Sequence, residues 1–124
     1  MINAQEDKVM KKLTRASAYL VTYAREIVKY ATEAQTEEKT DELFRDYELA
    51  LKYSQKYHEA AAQAYKMAAE ANEEGLDIKY SIMPELESLV KGHIKDIEKV
   101  VERRRKSLGL KSLQALKRKI KLRG

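Results

Sequence analysis

The chain has no cysteine and no tryptophan, one proline, one phenylalanine and four glycines in 124 residues. Without cysteine there are no disulfides, no thiolate metal sites and no thiol nucleophile, a composition suited to a reducing compartment. So few glycines and prolines leave too little punctuation for a strand-and-turn protein. No run of about 18 apolar residues occurs, so no membrane span is expected. The opening MINAQEDKVMKK holds no apolar stretch before a cleavage site, so no secretory leader is expected and the predicted location is cytoplasmic.

The motifs of catalysis are missing as well. His58 and His93 are the only histidines. His93 and Asp96 have the spacing of a ligand pair on a helix, but there is no HExxH and no paired ExxH, so both histidines are read as packing or surface groups. Glycines 75, 92, 109 and 124 are scattered, which excludes a glycine-rich phosphate loop. No catalytic residue, metal or cofactor is therefore expected, and the chain is read as a non-enzyme.

What is present is helical periodicity and charge. Val9, Leu13, Ala16, Leu20, Tyr23, Ile27, Tyr30 and Ala34 alternate spacings of four and three, a coiled-coil-like period that predicts a helix over 4–35. The acidic stretch 36–40 (TEEKT) predicts a short turn, with Thr40, Asp41 and Glu42 opening a second helix over 40–74. Its stripe runs through Leu43, Tyr47, Ala50, Ser54, Tyr57, Ala61, Ala64, Ala68 and Ala71, with Phe44, Leu51, His58 and Tyr65 as a second row. One unbroken helix from Ala4 to Glu74 is the alternative, because no Gly or Pro interrupts it. Gly75 is read as a left-handed cap. Ser81 is read as the cap of a third helix over 82–108, with Pro84 in its first turn. Leu86, Val90, His93, Ile97, Val100 and Arg104 share that helix's stripe. Gly92 inside it is read as a close helix crossing rather than a hinge. The prediction is an all-α, elongated, antiparallel three-helix (up-down-up) bundle over 1–108, followed by a basic amphipathic terminal helix over 109–124.

Charge is distributed unevenly. Residues 103–124 hold ten Lys and Arg and no Asp or Glu; the other fifteen bases and all twenty acids lie in 1–102, so the overall +5 is +10 against −5. Arg103, Arg104, Arg105, Lys106, Lys111, Lys117, Arg118, Lys119, Lys121 and Arg123 are the candidate nucleic-acid-binding residues, as neutralisers of phosphates. Lys8, Lys11, Lys12 and Arg15 form a second, smaller cluster. Leu113, Leu116 and Ile120 give the tail an apolar side, so docking on a protein partner or an anionic membrane surface are the competing readings. No aromatic follows Tyr80, which argues against base stacking by the tail. Tyr19, Tyr23, Tyr30, Tyr47, Tyr53, Tyr57 and Tyr65 could supply stacking platforms for single-stranded bases, but most lie on or beside the apolar stripes and core packing is the favoured reading; Tyr19 and Tyr53, at stripe edges, are the candidates for exposed rings.

The expected function is non-enzymatic binding of nucleic acid through its backbone, as a self-associating subunit of a nucleoprotein assembly. In size, charge and helix content the chain is similar in kind to helical coat proteins of filamentous viruses and to small helical subunits of RNA-guided surveillance complexes, which implies a location in the cytoplasm or within a nucleoprotein particle or virion. No residue role is carried over from either. A coiled-coil-like adaptor or assembly protein with a docking tail is the alternative.

Overall fold

The computed structural model describes residues 4–109 and contains three helices that pack against one another: α1 (Ala4–Gln35), α2 (Thr40–Glu73) and α3 (Pro84–Ser107). No strand occurs among the described residues. The terminal helix expected over 109–124 lies outside them, apart from Gly109.

α1 and α2 are separate helices even though no Gly or Pro divides them. Lys39 breaks the helical path with extended backbone (ψ 124°), and a distant side chain, described below, binds the turn's carbonyls. Asp41 accepts a 3.0 Å bond from the Glu42 amide, so one of the amides that lack intrahelical acceptors is satisfied by an anion near the positive end of the dipole. Thr40 is the first helical residue, as expected, and Lys39 occupies the cap position.

α2 ends as expected at Gly75, whose φ of 93° is left-handed. The Leu76 amide donates to the Ala71 carbonyl and the Gly75 amide to the Asn72 carbonyl, both at 3.0 Å, which is the Schellman arrangement. The connection to α3 is then fastened from several sides. Asn72 exchanges two 2.8 Å hydrogen bonds with the Ile78 backbone, the Ile82 amide donates to the Tyr65 hydroxyl at 2.9 Å, and the hydroxyls of Ser17 and Tyr80 lie 3.2 Å apart. α3 starts at Pro84 and not near Ser81. Proline excludes its predecessor from helical backbone, so Met83 is extended (ψ 128°) and occupies the cap position without a side-chain cap.

The core is a column of three clusters. Leu13 meets Ala64, Ala68, Ala71 and Ile78 at one end. Leu20, Ala24, Ile27, Tyr57, Ile82 and Val90 fill the middle. Ala31, Ala34, Leu43, Phe44, Ala50, Ile97 and Val101 close the other end. The alanines let helix backbones approach closely, and the larger aliphatic side chains fill the gaps between them.

Gly92 makes no close crossing: it is exposed, and a Cβ built there would meet nothing within 4 Å. Gly92→Ala should therefore gain about 0.5–1 kcal/mol from helix propensity and reduced unfolded-state entropy, read as a higher urea midpoint. A loss would mean that the position is a tight contact after all.

Candidate nucleic-acid interface

α3 carries its cations into its last turn because its apolar stripe stops at Val101. The four basic residues that follow have different roles. Arg104 donates Nη1 to the Glu38 carbonyl (2.9 Å) and Thr40 Oγ1 (3.0 Å), and Nη2 to the Glu37 carbonyl (2.5 Å). Its guanidinium thereby holds the α1–α2 turn onto the end of α3, a use of the planar fork that lysine could not reproduce. Arg105 is half-buried and forms a two-point pair with Glu102. The Arg105 hydrogen bond in turn holds the Glu102 carboxyl below its ordinary pKa. Arg103 donates Nε to the Lys99 carbonyl at 3.4 Å and its side chain remains exposed, as does that of Lys106.

Of the sequence-assigned residues here, Arg103 and Lys106 present free surface, Arg105 is engaged with Glu102, and Arg104 works mainly as a clamp. Arg104→Gln should cost about 1–2 kcal/mol in urea unfolding, because three contacts to a charged group are lost while solvent reaches part of the turn; an unchanged midpoint would show that the clamp is idle. Lys111, Lys117, Arg118, Lys119, Lys121 and Arg123 lie outside the described residues.

Three cations that were not assigned belong to the same surface. Lys91, Lys95 and Lys99 are exposed and, with Arg103, are spaced four apart along α3. Lys95, Lys99 and Arg103 line an open groove with Tyr47, Glu98 and Glu102. Burial, and then the charge of Glu98, raise the Tyr47 phenol above its ordinary pKa, so the groove keeps a neutral ring among its charges. The spacing of four was visible in the sequence, but the neighbouring Asp96 and Glu98 disguised it.

Lys8, Lys11, Lys12 and Arg15 are all exposed on α1, with Lys11 3.2 Å from Asp7. That part of α1 faces the connection before α3: the Asp77 amide donates to Glu6 at 3.4 Å, and Leu13 shares a cluster with Ile78. The structure does not bring the two basic clusters together. At 1.5 Å of rise per residue, Arg15 and Gln35 stand about 30 Å apart along α1.

The turn held by Arg104 adjoins an acidic group that the sequence did not reveal. Asp46 is buried, 7% exposed. Burial first, then the charge of Glu33, a hydrogen bond with Glu33, and the charges of Glu37 and Glu42 push its carboxyl up to about 6. Four acids, Glu33, Glu37, Glu42 and Asp46, therefore gather beside the α1–α2 turn.

His58 is exposed and His93 half-buried, the latter with Nδ1 2.8 Å from the Leu89 carbonyl. No group of three or more His, Cys, Asp or Glu among the described residues could hold a metal ion, and no described helix is long and apolar enough to cross a membrane. Comparison with family models, curated proteins and solved structures finds no match for this chain.

Proposed function

We propose that this chain is a non-enzymatic nucleic-acid-binding protein, a self-associating structural subunit of a nucleoprotein assembly that contacts phosphates through the end of α3 and residues 110–124. The observation that carries the reading is the exposed row Lys91, Lys95, Lys99 and Arg103, which leads into Lys106 and then into six more cations with no acid in residues 107–124. A linear array of cations suits a linear array of phosphates. The order of core contacts along α1 supports an up-down-up course, which puts the Lys8, Lys11, Lys12 and Arg15 cluster at the opposite pole. With net −5 over residues 1–102, contact is one-sided, and two basic poles suit bridging between neighbouring segments or subunits.

The competing adaptor reading draws on exposed Met83 and Leu89, at 63% and 41%. Salt dependence separates the two. Binding of the full chain to nucleic acid should weaken with a log-log slope of about −0.9 per phosphate contact on duplex and about −0.7 on single strands, reaching about −4 or steeper. A chain ending at Gly109 keeps the Arg104 clamp, so its loss of affinity reports the tail and not unfolding. Absence of binding at low salt, or a slope near zero, would leave the adaptor reading in its place. Neutralising Lys8, Lys12 and Arg15 should weaken binding as much as removing the tail does; no effect would eliminate the bridge.

A further inference from the structure

Half of the eight tyrosines lie in one continuous row along the seam between α1 and α2. Tyr19 stacks on Tyr23 with ring centroids 6.3 Å apart and planes 24° apart. Tyr23 meets Tyr53 of α2 at 6.2 Å, and Tyr53 stacks on Tyr30 at 6.1 Å with planes only 13° apart. Two cations rest on the rings: Lys29 Nζ is 5.2 Å from the Tyr30 centroid and Lys56 Nζ 5.4 Å from that of Tyr53. The row is fixed from beneath, because Tyr23 and Tyr53 pack on the middle core cluster and Tyr30 on the end cluster. Only its first ring stands in solvent: Tyr19 is 60% exposed, and Tyr53, expected at the surface, is half-buried.

Packing alone accounts for the anchored sides of these rings. It does not account for Tyr19, which closes no core cluster, nor for cations on two of the rings. From the stacking, the anchoring and the flanking cations we infer that this seam is a stacking platform for the bases of a single-stranded nucleic acid. The inference rests on the phosphate-binding reading and adds the strandedness of the polymer.

Bases in a duplex are stacked on each other and offer no face to a side chain. Bases of a single strand do, and every base has one, so an aromatic row binds without reading sequence. The charge pattern agrees. Arg15 precedes Tyr19 by four residues on α1, with Lys12 and Lys8 before it, so the exposed end of the row opens onto a basic stretch of helix. Acids stand toward the other end: Glu26 precedes Tyr30 by four residues, and Glu33, whose charge helps raise the Asp46 carboxyl, follows it. A strand therefore enters over Lys8, Lys12 and Arg15, lays bases on Tyr19 and its neighbours, and leaves the seam before the acidic end. A base that takes a ring face from Lys29 or Lys56 frees that ammonium for an adjacent phosphate. From Lys8 to Tyr30 the path covers about 33 Å of helix.

The test compares three labelled polymers of equal length at low salt against the full chain: oligo(dT), the same sugar-phosphate strand without bases, and a mixed-sequence duplex. Oligo(dT) should bind about tenfold or more tighter than the abasic strand. Tyr19→Leu should weaken oligo(dT) by roughly tenfold, the scale of one lost base–aromatic stack, and leave the abasic affinity unchanged. Because the chain has no tryptophan, its intrinsic emission is that of tyrosine and should be quenched by oligo(dT) but not by the abasic strand. Equal affinity for oligo(dT) and the abasic strand would overturn the platform while leaving phosphate binding intact. Failure of all three polymers to bind would overturn both. The abasic comparison needs no variant, so a poorly folded Tyr19→Leu would not shield the inference.

Discussion

Tyr57→Ala should cost about 3–5 kcal/mol of stability, while Tyr57→Phe should leave the fold as stable as the parent or about 1 kcal/mol more stable. Tyr57 is 2% exposed and sits in the middle cluster with Leu20, Ala24, Ile27, Ile82 and Val90. Removing the ring would leave a cavity where α1, α2 and α3 meet, and that loss combines transfer and cavity terms. Against a total of about 5–15 kcal/mol for a domain, it would be a large fraction. The hydroxyl acts in the opposite direction. It is buried without a hydrogen-bond partner, so its removal restores nothing to water that the folded state was using. The same burial, with Glu87, Tyr65 and Tyr80 nearby, raises the phenol above its ordinary pKa. Urea unfolding of the two variants separates ring from hydroxyl. A loss of more than about 1 kcal/mol in Tyr57→Phe would mean that the hydroxyl makes a bond that stabilises the fold.

The core face of α1 shows how far periodicity carries. A strict spacing of 3.5 correctly finds the helix over 4–35 and buries Leu13, Leu20, Ile27 and Ala34. It also assigns Tyr23 and Tyr30 to the core, where the structure buries Ala24 and Ala31 instead. A straight α-helix has 3.6 residues per turn, so a stripe drawn at 3.5 drifts about 20° per heptad, and the tyrosines move to the edge. That displacement creates the row of rings on the seam. In α2, Phe44 of the second row is buried while Leu51 and Tyr65 are 38% and 41% exposed, because the face is narrower than the sequence suggested. The charge asymmetry of the tail was legible by counting. The engagement of Arg104 was not, since its partners are more than 60 residues away and nothing local marks it. Asp46 was equally hidden: between Arg45 and Tyr47 it looks like a surface acid, and nothing local marks it as 7% exposed.

Asp46→Asn should raise stability at pH 7 by about 2 kcal/mol, and the gain should disappear in acid. The wild-type carboxyl titrates near 6 in the folded protein against 3.8 for the ordinary group. Between those values the folded state holds more protons than the unfolded state, so stability falls as pH rises from about 4 to about 6 and then levels off. A shift of this size corresponds to roughly 3 kcal/mol, reduced here because Glu33, Glu37 and Glu42 can relax toward solvent. Asparagine has nearly the same shape, carries no charge, and can donate its amide to Glu33 where the protonated acid would have donated its hydroxyl. Urea midpoints for both proteins at half-unit steps from pH 4 to 8 give a difference curve in which carboxylates common to both cancel. That curve should be near zero at pH 4, climb through pH 5–6 and be flat above pH 7. Parallel profiles would mean that the Asp46 carboxyl titrates in the fold as it does in the unfolded chain, and a curve that rises toward acid would mean that it is ionised and paired in the fold.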